Sequence, residues 1–350
     1  MSPIAIVDAG LVTSVGLSAE ATCAAIRASV TNPTETRFVG GDGKWLLAQQ
    51  VPMPEPWRGR ARLVEMASMA AAQVLAPRMQ VASQALQAPL PLLLCVAEQD
   101  RPGRLEGLDD ALFAELEVVL GVPLHPSLSG VVPQGRVGVA LALAQAHRLM
   151  AAREASQVLI VAVDSLLVAA TLDAYGAKDR LLGDANSNGF VPGEAAGALL
   201  VAAPAARHDW PIPQIACLGI GYGNEPASID TDLPLRGEGL MQAMKGALDM
   251  AGLAMAQVGY RIATLNGEQY GFKEFDLATS RLLRGRHEFM DLWHPADCVG
   301  EVGAAQLAVC MAMALAAARK GFAPGDPVLI AASNDDGRRV AMVVSAQGDA

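Results

Sequence analysis

The tetrapeptide Gly135-Arg136-Val137-Gly138 opens an Ala/Leu-rich stretch, and a near copy, Gly300-Glu301-Val302-Gly303, opens a second one. The spacing from residue 135 to residue 300 is 165, and the same spacing relates Ala140 to Ala305, Ala151 to Ala316 and Ala152 to Ala317. An apolar β-type run follows each stretch, at 158–163 and 328–332. Each half then closes on a polar turn and another apolar run. Asn186-Ser187-Asn188-Gly189 leads to 198–201, and Asn334-Asp335-Asp336-Gly337 leads to 341–344. A helix-strand-turn-strand order that occurs twice predicts an internal duplication. The chain has 350 residues, ample for a large core and two similar lobes. The expected halves are 1–203 and 213–350, with the polar, proline-flanked stretch 204–213 as the linker.

At 52% hydrophobic and 18% charged residues, the chain reads as folded and not disordered. Its net charge of −10 argues against a nucleic-acid surface, which needs clustered Lys and Arg. Cys23, Cys95, Cys217, Cys298 and Cys310 are scattered through apolar sequence without a CxxC spacing. They suggest neither a zinc site nor a disulfide framework, but buried free thiols in a reducing cytoplasm. The opening Met-Ser-Pro-Ile-Ala-Ile-Val-Asp has no basic region, so it does not read as a signal peptide. The longest apolar stretch, 302–318, is interrupted by Gln306 and rich in alanine. It is short for a membrane span and reads as a helix buried on all sides.

In chain order, the pattern predicts a strand at 4–7 and a helix at 18–28 with Ser18 as its N-cap. Proline-rich loop with a strand at 45–51 follows, then a helix at 62–75, a fully apolar strand at 92–96 and a helix at 108–120. The first central helix is expected at 137–153. Past the linker come a strand at 214–222, a helix at 238–251 capped by Gly252, a strand at 261–265 and a helix at 276–283. Strands alternating with helices predict an α/β fold of mostly parallel sheets covered by helices.

The segment from Asp184 to Ala198, with Gly189-Phe190, Gly193-Glu194 and Gly197, resembles the D-x-x-R-x-G-F-x-x-G-E-G-A-G segment of β-ketoacyl synthases, in the thiolase superfamily. Residues 4–16 resemble that family's opening strand and turn. Residues 219–240, with Asp230, Pro234, Gly237, Glu238 and Gly239, resemble the opening of its second half. The resemblance runs through nearly the whole chain and implies the thiolase-like duplicated five-layer αβαβα fold.

The resemblance also implies a catalytic set, and this sequence departs from it at every position. The family places a nucleophilic Cys at the start of the first central helix, where the helix dipole favours a thiolate. Here that place holds Gln134-Gly135-Arg136-Val137. The first family histidine lies in N-x-H-G-T-x-T, which matches Asn266-Gly267-Glu268-Gln269-Tyr270-Gly271-Phe272, so Glu268 stands for it and the threonines for a pantetheine arm are gone. Glu301 stands for the second histidine, the family lysine falls near Ala296, and the G-F-G-G oxyanion turn is replaced around residues 334–339. The expectation is therefore no catalytic, cofactor or metal residues, with Arg136, Glu268 and Glu301 as vestigial positions. Arg136 is expected to pair with Glu301, as pseudo-symmetric mates at the two helix starts, and to share Glu268.

Other candidates have plainer readings. His294 lies near the lost lysine position and reads as a loop histidine; His125, His147, His208 and His287 lack a triad-like context. Asp184 and Glu194 flank a turn and could hold a metal, though the resemblance makes Glu194 structural. Arg58, Arg60 and Arg62 could bind an anion such as a carrier-protein phosphate, or be a solvated helix start. Glu268 and Glu301 could be an acid/base pair of new chemistry. The expected function is a catalytically inactive pseudoenzyme that acts as adaptor or chaperone. The resemblance points to a secreted effector, as in type VI secretion clusters, as its partner. The alternatives are a β-ketoacyl-ACP synthase-type acyltransferase, or the non-catalytic subunit of a ketosynthase heterodimer that meets an acyl carrier protein. A homodimer or thiolase-like heterodimer is expected, joined through 158–163, because an exposed apolar edge there would aggregate.

Overall fold

A computed structural model describes residues 3–41, 43–81, 89–184, 186–204, 213–285 and 290–346, the side chains of 77–81 excepted. The first half runs β1 (Ile4–Val12), α1 (Ala19–Arg27), a hairpin of β2 (Thr34–Val39) and β3 (Trp45–Ala48), α2 (Gly59–Val81), β4 (Leu92–Val96) and α3 (Ala111–Leu120). It continues with β5 (Gly130–Pro133), α4 (Gly138–Ala151), β6 (Gln157–Ser165), α5 (Ala169–Gly176) and β7 (Glu194–Ala202). The second half runs β8 (Ile215–Asn224), α6 (Glu238–Ala251), β9 (Tyr260–Ala263), α7 (Gln269–Leu282) and β10 (Leu292–Trp293). It ends with α8 (Ala296–Val299), α9 (Gln306–Lys320), β11 (Val328–Ser333) and β12 (Arg338–Ala346). Most of the expected linker, 205–212, lies outside the described residues.

Several local signals hold. Ser18 Oγ accepts from Ala21 N at 3.1 Å, and Gly252 closes α6 at φ +70°. Others shift. The helix expected at 276–283 begins earlier, at Gln269, where Asn188 Oδ1 from a distant turn accepts the N–H at 2.8 Å. A cap supplied across 81 residues leaves no trace in local sequence.

Ten strands bond in the order β10-β9-β11-β12-β8-β1-β7-β6-β4-β5. From the centre outward, both arms have the same order, the first, fifth, fourth, second and third core strand of their half. The arms join where Ile4, Ala5 and Ile6 pair with Cys217, Ala216 and Ile215. The sheet is less parallel than expected. In each arm the outer pairs are parallel (β4–β5, β4–β6; β9–β10, β9–β11) and the inner ones antiparallel (β1–β7, β6–β7; β8–β12, β11–β12). The short turn between β11 and β12 can only return the chain antiparallel.

Side-chain alternation builds the layers. Leu93, Cys95, Ile160 and Ala162 of one arm, and Ile262, Ile330, Ala332 and Met342 of the other, pack on α4 and α9 in one core. The intervening Leu92, Leu94, Leu159 and Val161 face Leu63, Met66, Leu112 and Leu116 of α2 and α3. Ala263, Leu329, Ala331 and Val343 face Leu240, Met244, Phe275 and Ala278 of α6 and α7. The result is the duplicated five-layer αβαβα fold. Every residue of α9 from Gln306 to Leu315 is buried, because the helix lies between two sheet faces. That accounts for the apolar stretch at 302–318; among the described residues no helix is long and apolar enough to cross a membrane.

The structural repeat differs from the sequence spacing. A 3₁₀ turn leads into each central helix, Gly135–Val137 before α4 and Gly303–Ala305 before α9. Their first glycines have φ +55° and +54°. The structural spacing is thus 168, from 135 to 303, and it sets Arg136 over Ala304. It also maps inward-facing Ile160 to inward-facing Val328. A spacing of 165 would instead set Val163, which faces the outer helices, on inward-facing Val328. Arg136 and Glu301 are therefore not pseudo-symmetric mates. Nor is 158–163 an interface edge: β6 is bonded on both sides, by β4 and β7, and the sheet edges are β5 and β10.

Candidate functional site

The fold brings the starts of α4 and α9 together, and charged side chains fill the space around them. Arg136, in the turn before α4, is nine-tenths buried. Its Nε donates to Glu301 Oε1 at 3.1 Å, and its Nη1 donates to Ser333 O at 2.8 Å and Asp335 Oδ1 at 3.0 Å. Glu301 Oε1 also accepts from Gly303 N at 2.9 Å, a free amide at the start of the second central turn. The Arg136–Glu301 pair is thus present, although not as symmetry mates.

Glu268 is not shared with Arg136. It takes the buried Arg180 as a two-pronged partner, Nε to Oε1 at 2.7 Å and Nη2 to Oε2 at 2.8 Å. This is the fork-on-carboxylate geometry that suits arginine. Arg180 also donates from Nη1 to Asp335 Oδ2 at 2.7 Å. Asn266 Nδ2 ties the two glutamates together, at 3.1 Å from Glu268 Oε2 and 2.9 Å from Glu301 Oε2. Arg136, Glu268 and Glu301 therefore belong to one network, Glu268–Arg180–Asp335–Arg136–Glu301. Burial alone would raise the Asp335 carboxyl, but Arg136 and Arg180 outweigh it and hold the group far below the usual carboxylate range. Tyr175, whose hydroxyl lies 3.4 Å from Asp335 Oδ2, is pushed up by burial and by that charge.

A second buried group braces the helix starts. Arg101 Nη2 lies 2.8 Å from Glu98 Oε2 and 3.0 Å from Asp164 Oδ2. Asp164 Oδ2 accepts from Ala304 N at 2.8 Å. Neither carboxylate leaves room for a side chain at the turns. A Cβ on Gly135 would stand 2.2 Å from Glu98 Oε2, and one on Gly303 2.1 Å from Asp164 Oδ2.

Sequence reasoning missed Arg180, Asp335, Arg101, Glu98, Asp164 and Asn266 as members of these networks. A charged residue inside an otherwise apolar or glycine-rich segment was the available signal. It names a buried charge but not its partner.

The remaining candidates resolve one by one. Asp184 is exposed and pairs with Lys44. Glu194 is buried and accepts from Arg62 Nε at 2.9 Å, Ser165 Oγ at 3.0 Å and Val51 N at 3.0 Å. Arg60 pairs with Glu115, Nε to Oε1 at 2.9 Å, so Arg58, Arg60 and Arg62 do not form one cationic site. His294 Nδ1 lies 2.9 Å from Asp297 Oδ2, and that contact raises its pKa. His125 Nδ1 accepts from Leu128 N at 3.2 Å. His147 lies on α4. His208 and His287 lie outside the described residues. Among the described residues no group of His, Cys, Asp and Glu could hold a metal ion.

Open space beside the network is small. A cavity of about 40 Å³ lies between Arg136, Arg180, Glu268, Tyr270 and Phe275, room for a water or two and not for an acyl chain. All five cysteines are buried and none is in a disulfide bond. Burial pushes Cys23 and Cys217 up to about 12 and raises Cys95, Cys298 and Cys310 as well.

No family model matches the sequence, and no curated protein matches it. Solved structures do. A ketosynthase in complex with its chain length factor, from Xenorhabdus doucetiae, matches with a TM-score of 0.76 at 13% identity, over 98% of this chain and 98% of that one. The ishigamide ketosynthase/chain length factor matches with a TM-score of 0.71 at 18% identity, over 99% and 100%. A complex of a type II polyketide acyl-carrier protein with its ketosynthase matches with a TM-score of 0.76 at 15% identity, over 98% and 99%. The chain has the ketosynthase fold. At these identities it is the fold that is shared.

Proposed function

We propose that this chain is a non-catalytic ketosynthase-like subunit that works beside an active ketosynthase, in the manner of a chain length factor. The observation that carries this reading is the Glu268–Arg180–Asp335–Arg136–Glu301 network. It fills the place where the family resemblance puts the nucleophile and its bases. Arginine cannot act as an acyl nucleophile, and a carboxylate locked on a guanidinium is a poor proton acceptor. Thiols held up by burial offer no ready thiolate. The ketosynthase/chain length factor structures it matches over nearly its full length support the same reading. The ketosynthase structures named above lend no support to the role of effector adaptor. An acyl carrier protein bound to the active partner is the expected third component, and cysteines outside any disulfide bond fit a reducing compartment such as the cytoplasm.

The test is co-expression with an active ketosynthase from the native host. The expected result is a one-to-one complex by light scattering, with a radiolabelled acyl thioester marking the partner's cysteine only. Stable label on this chain, or condensation by this chain alone, would overturn the reading.

A further inference from the structure

We propose that a groove on the first half, remote in chemistry from the ion network, binds a small phosphomonoester with an apolar tail. The groove has a volume of about 370 Å³, within the range of small-molecule sites. It is bordered by β2, by the loop that enters α2 and by the segment after β6.

Its charge is unbalanced. Arg37 on β2 and Arg58 before α2 line the groove, and neither guanidinium has a carboxylate or hydrogen-bond partner among the described residues. Their neighbours Arg60 and Arg62 are compensated by Glu115 and Glu194. Glu194 is the single acidic residue among those lining the groove, and it is taken by Arg62. No acidic residue stands in the first turn of α2. Two uncompensated guanidiniums on a chain of net charge −10 mark a local site for an anion. Two planar forks suit a dianion better than a single carboxylate, and a phosphomonoester carries −1.5 to −2 at neutral pH.

Its other wall is apolar. Trp57 is 44% exposed, and Phe38, Leu105, Leu167 and Val168 stand with it. A free inorganic anion would leave that wall wet; a short alkyl or ring portion would cover it. The floor is already fixed. Glu194 holds Arg62, Ser165 Oγ and Val51 N at about 3 Å, so little ordering is needed on binding. The inference does not depend on the heterodimer reading.

Isothermal titration of the full chain with n-hexyl phosphate tests it, with inorganic phosphate and hexanol as the two partial probes. Hexyl phosphate should bind, more weakly as salt rises, and better than either partial probe. Arg37→Ala and Arg58→Ala should each weaken it about tenfold, while Arg58→Lys should keep part of the affinity. Both side chains are exposed and unpartnered, so the variants should keep the wild-type melting temperature. Absence of hexyl phosphate binding at millimolar concentration would overturn the proposal. So would wild-type affinity in both alanine variants, or inorganic phosphate or hexanol binding as tightly as hexyl phosphate.

Discussion

Arg136 Nε and Glu301 Oε1 lie 3.1 Å apart across the starts of the two central helices. They are 165 residues apart in sequence, yet the duplication repeats at 168, so symmetry does not create the pair. Glu301 precedes its turn by two residues and accepts the Gly303 amide, whereas Arg136 sits inside its own turn. The pair joins two inequivalent positions that the fold happens to oppose.

Removing either partner should leave a buried charge short of a counter-ion. Arg136→Met and Glu301→Leu should each lower stability by about 3–5 kcal/mol, and the double variant should recover part of that loss. Recovery should be incomplete, because Arg136 also holds Asp335 and Ser333 O. Urea unfolding of the four proteins of the cycle measures it. Strict additivity would remove the coupling.

Asp335 predicts a pH dependence. Its folded pKa is depressed, so its contribution is fully present above its unfolded value, about 3.9, and is lost as pH falls below that. The urea midpoint of the wild type should therefore fall progressively as pH drops below about 4. Asp335→Asn should be less stable at pH 7 and show a shallower drop. A parallel pair of curves would contradict the assignment.

The two turn glycines should not be equivalent. Both have φ near +55°, so alanine is strained at either site. At Gly135 the obstructing Glu98 carboxylate, held at its tip by Arg101, ends a longer side chain with 14% exposure. At Gly303 the obstructing Asp164 carboxylate is buried and held by Arg101 and Ala304 N. Gly135→Ala should cost about 1–3 kcal/mol, and Gly303→Ala more. Thermal melts of the two variants decide the order.

The thiols should be inert in the folded protein. Five buried cysteines with raised pKa values should react with a thiol reagent at pH 8 only after unfolding, and then all together. One equivalent reacting at the rate of a free thiol would identify an accessible nucleophile and weaken the non-catalytic reading.

Much of this fold was legible because its signals are local or periodic. The Ser18 cap, the Gly252 stop and the apolar run Leu92–Val96 each declare themselves within a few residues. The paired glycine turns announced a duplication, and the family segment from Asp184 to Ala198 named the fold. The Arg136–Glu301 pair was legible because both residues stand at marked positions.

The tertiary structure alone decided the rest. The true spacing of 168 was hidden, because Gly300 and Gly303 lie three residues apart and only backbone conformation shows which one matches Gly135. The sheet's mixed direction depends on how arms pair, not on the strands' own sequences. Arg180 finds Glu268 across 88 residues and Asp335 across 155. A buried charge shows in sequence only as a polar residue in apolar surroundings. Its counter-ion is chosen by which loops the packed helices bring within about 3 Å, and that distance exists only once the core has formed.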